Sequence, residues 1–309
     1  SDIQVTAVSC EKVKINDYDM LVFFSPAGIH SLKENFPDQQ IVLLTAKGSP
    51  DLGSKTFDTV RQKLNHMLDF TIFRWYREHP AVQEQLVNTL RSSLTELDKA
   101  GVPFDLLGED EWCCGGPQLL NAGLKDKFEE HARHNIEAVQ AHGAKKVVCT
   151  CADCYRTLKI DYASVCSDMG FEILHSSELL ASLLDEGKIS FDHEVNETIT
   201  YQDPCQLARA AKITEEPRKI LNAIPGLTLK EMQGSGMYTM CCGHYPGELP
   251  ESTALAGKNR LEVADETGAD AIVTACSFCK WSLSGAARKS GKKYEIMDLT
   301  EIAAKAMGL

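Results

Sequence analysis

Apolar residues along this chain fall into two recurring patterns, short continuous runs and 3.6-residue spacing, and the two alternate. The runs Ile3–Val8, Met20–Phe24 and Ile41–Thr45 predict short buried strands, with Ser25-Pro-Ala-Gly28 as a turn opening a helix between the last two. From 80 to 99, Val82, Leu86, Leu90, Leu94 and Leu97 recur at helical spacing, and Gly101 is placed to end that helix. A strand over Pro103–Leu107, a helix over Leu124–Gln140 and a strand over Lys146–Thr150 follow. Phe171–Leu174 then predicts a strand and Ser177–Leu184 a helix. After the polar connection 186–194 the alternation resumes. Strands are predicted at Thr198–Gln202, Ala271–Ala275 and Tyr294–Met297, with helices after Cys205, over Ser252–Thr267 and at the C-terminus.

Strands alternating with helices predict an α/β fold with mainly parallel sheets, built as two pseudo-repeated Rossmann-like halves. Ligands in such sheets collect at the carboxyl ends of strands, where the cysteine packets of this chain are expected. The predicted divisions are an N-terminal α/β segment (1–70), a first cysteine-bearing half (71–190) and a second (191–309).

Composition narrows the function. The 309 residues are 43% hydrophobic and 25% charged, with a mean hydropathy of −0.21. No apolar run reaches the roughly 18–20 residues that span a bilayer, and the first residues show no signal-peptide pattern. The expectation is a cytoplasmic chain whose membrane association, if any, is made through partners. A net charge of −12 argues against nucleic acid, which needs a basic footprint.

The twelve cysteines change the picture most. Cys205, Cys241–Cys242 and Cys276-Ser-Phe-Cys279 form three packets separated by 35 and 33 residues. Cys113–Cys114 and Cys151-Ala-Asp-Cys154 repeat most of this set at a gap of 36. A spacing used twice is an internal repeat. Disulfides suit small exported domains, so a chain of this size without an export signal points to metal or redox chemistry. Thiolates hold both structural zinc and iron–sulfur clusters. Adjacent cysteines diverge, so a pair reaches two metal atoms more readily than one, and five thiols exceed a four-coordinate zinc site. Gly115, Gly116 and Gly243 permit tight turns whose N–H groups stabilise thiolates. Cys10 stands alone and is expected to be structural. His131, His134 and His142 are expected to be solvated on a polar helix.

The motifs Leu107-Gly-Glu-Asp-Glu-Trp-Cys-Cys-Gly-Gly-Pro117, Tyr201-Gln-Asp-Pro-Cys205, Cys241-Cys-Gly243 and Val273-Thr-Ala-Cys-Ser-Phe-Cys279 resemble the CCG-domain (cysteine-rich domain) family over about residues 80–309. This family includes heterodisulfide reductase B/D-like subunits and related iron–sulfur oxidoreductases. The resemblance implies a noncubane [4Fe–4S] cluster held by Cys205, Cys241, Cys242, Cys276 and Cys279. It also implies electron transfer between a flavoprotein or ferredoxin-like partner and a disulfide, a quinone-linked acceptor or an organic acid couple. Two departures stand out. Residues 11–112 contain no cysteine, so the first half lacks its leading thiol. Cys113, Cys114, Cys151 and Cys154 are then expected to hold zinc or a second iron–sulfur cluster, with Cys149 as a candidate fifth ligand. In the second half, Cys242 is followed by Gly-His-Tyr-Pro-Gly247, and His244 is a candidate proton donor to a substrate sulfur.

The chain has no ferredoxin-type cysteine run and no dinucleotide fingerprint, so its electrons are expected from another subunit. Three readings follow: an oxidoreductase subunit acting on a thiol or disulfide, a non-catalytic electron-transfer subunit between a flavoprotein dehydrogenase and a quinone reductase, and a structural zinc scaffold.

Overall fold

A computed structural model describes residues 21–23, 41–43, 92, 96–97, 99–104, 107, 110–244 and 250–309. The chain divides into two units, residues 1–79 and 80–309. In the first unit, β1 (Leu21–Phe23) pairs in parallel with β2 (Ile41–Leu43), within the expected strands. The expected strand at Ile3–Val8, the Ser25–Gly28 turn and Cys10 lie outside the described residues, as does most of the expected 80–99 helix. Its end is visible: residues 96, 97 and 99 are helical and Gly101 has a φ of 63°.

In the second unit, after a π-helical turn at Gly116–Leu120, α1 (Lys125–Ala141) buries Phe128, Ala132, Asn135, Ile136 and Val139 on one face. Next come β3 (Lys146–Cys149), α2 (Ala152–Arg156), β4 (Glu172–His175) and α3 (Ser176–Asp185). β3 and β4 pair in parallel, with Cys149 opposite His175. The chain continues through β5 (Thr198–Gln202), α4 (Glu215–Ala223), β6 (Thr228–Lys230), α5 (Pro250–Thr267) and β7 (Ala271–Thr274). It closes with α6 (Ser277–Ser290), β8 (Glu295–Asp298) and α7 (Leu299–Ala306). These strands form a parallel sheet in the order β6-β5-β7-β8. The fold is thus α/β with parallel sheets. Among the described residues no helix is long and apolar enough to cross a membrane.

Every residue of the central strand β7 is buried, and its neighbour β5 is buried from Ile199 to Gln202. One core joins Ile173, Leu180 and Leu183 to Ile199, Ile272, Leu283 and Leu299, so elements on both sides of the 186–194 connection share it. Two strand–helix junctions are capped alike. Asp298 Oδ1 accepts from Thr300 N (3.0 Å) while Glu301 Oε2 accepts from Asp298 N (2.7 Å). His175 Nδ1 accepts from Ser177 N (3.2 Å) while Glu178 Oε2 accepts from His175 N (2.8 Å). Such reciprocal caps satisfy otherwise orphaned N–H groups, worth about 1 kcal/mol each.

Two expectations are corrected, and two elements go unanticipated. Pro103, Phe104 and Leu107 are not in a strand, and Phe104 is 44% exposed, so this apolar run is not buried as a strand would require. The strand β6 and the helix α6 carry too little apolar periodicity to be anticipated. α6 is rich in serine and contains Gly285, and its end is marked by Gly291 at a φ of 70°. The helix expected directly after Cys205 is a single π-helical turn, Gln206–Ala210, followed by a break before α4.

His175 is fully buried, and the loss of solvation pushes its pKa down to about 3. Its folded value therefore lies below the unfolded value near 6.5, so the stability it permits is present above about pH 6.5 and is lost as pH falls. His175→Asn keeps a capping side chain and removes the titration. Urea unfolding of metal-free protein between pH 6 and 4 should show the wild type losing about 1.4 kcal/mol more per pH unit than the variant. Equal slopes would contradict this.

Candidate metal centre

The cysteines of both halves lie at element ends. Cys149 is the last residue of β3, and Cys151 precedes α2. Cys276 holds the same place between β7 and α6, and Cys205 lies three residues beyond β5. The adjacent pairs Cys113–Cys114 and Cys241–Cys242 sit instead on irregular turns. Glycine makes these turns possible. A Cβ on Gly116 would lie 2.0 Å from Thr157 Oγ1, so only glycine lets the Cys113–Cys114 turn pack on the segment after Cys154. Gly243 has a φ of 90°, and its N–H donates to Cys241 Sγ at 3.4 Å.

The fold brings the two sets together. Thiol contacts run without interruption from Cys113 to Cys114, Cys154 and Cys151. They pass from Cys151 to Cys276 across the two halves, then to Cys279, Cys242, Cys241 and Cys205. All nine are free thiols. Cys114, Cys242, Cys276 and Cys279 are buried, and the other five are partly so. Cys149 is buried at the edge of this strip and interacts with Cys114 through space; burial pushes its thiol up.

Three sulfurs in the strip are held down towards thiolate. Cys114 accepts from Cys113 and Cys154, Cys151 from Cys154 and Cys276, and Cys241 from Cys205 and Cys242. Backbone N–H groups add to this: Gly116 donates to Cys114, Cys154 to Cys151 and Cys279 to Cys276. Preorganised, partly ionised thiols, free of disulfides and pointing at one another, fit the donor set of iron–sulfur or zinc centres.

Different scaffolds hold the two adjacent pairs. In the first half, α1 straps down residues 110–114. Asn135 Oδ1 accepts from Trp112 N (2.9 Å), and Asn135 Nδ2 donates to the Trp112 carbonyl (3.0 Å). Tyr162 donates to the Cys114 carbonyl at 3.1 Å. His131 Nδ1 donates to the Cys113 carbonyl (3.1 Å), and His134 donates to that of Asp110 (2.8 Å) while stacking on Trp112. His142 lies 3.8 Å from the Asp110 carboxylate. These histidines, expected to be solvated, thus engage the segment that delivers Cys113 and Cys114.

In the second half the support is Gln202-Asp203, just before Pro204-Cys205. The buried Asp203 carboxylate accepts two bonds from Arg218 (2.8 Å each) and one from Gly236 N (2.7 Å). Gln202 Nε2 donates to the Met240 carbonyl (3.2 Å), while the buried Arg260 donates to Gln202 and to the Gln233 carbonyl (3.1 Å). Ser282 Oγ donates to the Cys242 carbonyl at 2.9 Å. In the sequence, the Gln-Asp-Pro-Cys motif carries the family resemblance, but its only expected ligand is Cys205. The polar residues inside the motif were the available signal for this latch.

His244 stacks on Phe278 (4.1 Å between centroids, 10° between planes) with Trp281 edge-on at 5.4 Å. Burial lowers its pKa to about 4, so the ring is neutral near pH 7, and neither nitrogen has a hydrogen-bond partner among the described residues. The ring is therefore not an exposed loop histidine. Around the strip, Trp112, Met237, Tyr238 and Met240 are exposed, Tyr238 to 85%.

The cysteine-rich domain (CCG) family matches residues 81–159 and 199–284. The D subunit of the dihydromethanophenazine:CoB–CoM heterodisulfide reductase of Methanosarcina barkeri is 40% identical over 220 residues, 69% of this chain and 54% of that protein. The B subunit of the fumarate reductase (CoM/CoB) of Methanothermobacter marburgensis is 34% identical, covering 72% of this chain and 43% of that protein. The EtfAB:quinone oxidoreductase of Syntrophomonas wolfei is 29% identical over 68% of this chain and 31% of its own length. This chain thus spans about half the length of the heterodisulfide reductase polypeptide and less of the other two. With the family matching more than half of its length and both thiol sets lying in the matched stretches, the chain belongs to the cysteine-rich domain (CCG) family.

Proposed function

We propose that this chain is an iron–sulfur oxidoreductase subunit of a heterodisulfide reductase-like complex, moving electrons to or from a thiol or disulfide. The observation that carries this reading is the convergence of nine free thiols from both matched stretches, with the Cys151 and Cys276 sulfurs within 4.8 Å of each other. In this reading Cys205, Cys241, Cys242, Cys276 and Cys279 hold a noncubane [4Fe–4S] cluster. Cys113, Cys114, Cys151 and Cys154, with Cys149 beside them, hold zinc or a second cluster. Such a centre supplies one-electron chemistry to a bound sulfur.

The two halves are read as pseudo-repeats. In each, a Cys-x-x-Cys loop follows a strand (β3, β7), and a later strand (β4, β8) ends in a capping box. The chain's own residues prepare the site. The Asp203–Arg218 latch fixes Cys205 relative to Cys241, and α1 fixes Cys113 and Cys114. Neutral His244, with both nitrogens unengaged among the described residues, offers a hydrogen bond to a substrate sulfur beside Cys241. Electrons would come from a ferredoxin-like or flavoprotein subunit.

A second reading makes this a pure electron-transfer subunit between a flavoprotein dehydrogenase and a quinone reductase. The first half's missing thiol favours it, as does the similarity to an EtfAB:quinone oxidoreductase.

Anaerobically purified Cys242→Ser and Cys276→Ser proteins should each lose most of the iron of the second set, while Cys10→Ser keeps the wild-type content. Equal iron in all three would overturn the ligand assignment. His244→Gln should keep wild-type iron but lower the rate of disulfide reduction by about tenfold, the loss expected for one hydrogen bond. Loss of iron in that variant would make His244 a ligand or a structural residue.

A further inference from the structure

Asp153 sits inside the first Cys-x-x-Cys loop, at the place where the second loop has Phe278. Otherwise the loops correspond: each follows a parallel strand, and in each the first sulfur accepts from the N–H of the last cysteine. The difference falls in the half that is one thiol short. A carboxylate oxygen of Asp153, Cys151 Sγ and Cys276 Sγ all lie within 4.8 Å of one another. One of these sulfurs belongs to each half. The nearby Arg156 guanidinium is paired with Asp161 at 2.9 Å and acts on the Asp153 carboxyl only through space.

A carboxylate and two thiols facing one another repel when ionised and attract a cation. Zn–S bonds of about 2.3 Å and Zn–O bonds of about 2.0–2.2 Å put tetrahedral donors roughly 3.5–3.8 Å apart. The three atoms therefore need to close by roughly 1.0–1.3 Å at most, which rotation about side-chain bonds supplies. Two sulfurs with one oxygen suit a thiophilic metal such as zinc or iron and disfavour calcium or magnesium.

We propose that Asp153 is a metal ligand, the oxygen donor of a thiolate–carboxylate site that Cys151 and Cys276 complete, with the Cys276 sulfur shared between this metal and the centre of the second set. In this arrangement the carboxylate adds a donor to the half that is one thiol short, at its Cys-x-x-Cys loop and not beside Cys113, where the counterpart of Cys205 would lie. The inference rests on the metal-centre reading of the thiol sets and adds to it a ligand of a different chemical class.

The test uses the full chain, purified anaerobically, in a Cys241→Ser/Cys242→Ser background that removes the second set's pair and keeps Cys276. Iron and zinc are counted per chain, retention is measured by competition with EDTA, and EPR spectra are recorded; the iron and zinc counts name the occupant. Asp153→Asn is expected to lower the EDTA concentration that strips half of the metal by at least about tenfold, since even residues behind a ligand cost that much. Asp153→Cys should restore retention, and Cys276→Ser should weaken it as Asp153→Asn does. Unchanged retention and an unchanged spectrum in Asp153→Asn, with far-UV circular dichroism showing an intact fold, would overturn the inference. So would a background that holds neither metal with Asp153 intact, whereas iron in the second set of the wild type would still leave the broader redox reading standing.

Discussion

The contact between Cys151 and Cys276 is the constraint on which the rest of the site depends, because it turns two cysteine sets into one strip. Crowding ionisable sulfurs carries an electrostatic cost. Two thiolates about 4 Å apart repel by roughly 4 kcal/mol at an effective dielectric of 20, and burial adds a desolvation penalty. The protein reduces this cost by alternation. Sulfurs held down as acceptors (Cys114, Cys151, Cys241) are flanked by sulfurs kept up as donors. Backbone N–H groups from glycines and from the Cys-x-x-Cys turns stabilise the ionised members further. A bound metal centre would compensate the remaining negative charge.

The two adjacent cysteine pairs are held by unlike means. In the first, a neutral strap from α1 and Tyr162 holds the backbone before and through the adjacent pair. In the second, a buried Asp203 paired with the half-buried Arg218, and a buried Arg260, do so. Buried charges are costly unless well paired, so the second latch is rigid but intolerant of substitution. Its cation also lies close to the site, since the Arg260 guanidinium interacts electrostatically with Cys242 and Cys279. The second set is therefore the more strongly compensated of the two.

Much of this was legible in the sequence. A continuous apolar run marked β7 nearly to the residue, because a buried parallel strand leaves little room for polar positions, whereas β5 (Thr-Ile-Thr-Tyr-Gln) was marked by its β-branched and aromatic residues. The thiol packets were legible because their spacing repeats. What escaped was long-range. Nothing in the spacing says that Cys151 meets Cys276, because that contact is made by packing the halves on a shared core. Helix α6 escaped because its buried face is carried by small and polar residues such as Cys279, Lys280 and Ala287. The supporting roles of Asn135, His131 and Asp203 escaped because each acts through a backbone group far away in sequence.

The most direct test of an iron–sulfur redox role is EPR with iron and sulfide analysis on anaerobic wild-type protein, before and after addition of a small disulfide and its thiol. The expected result is at least about four irons per chain, the content of one [4Fe–4S] cluster, with a paramagnetic signal that changes when the sulfur ligand binds. Zinc alone, or iron whose signal ignores both thiol and disulfide, would contradict it.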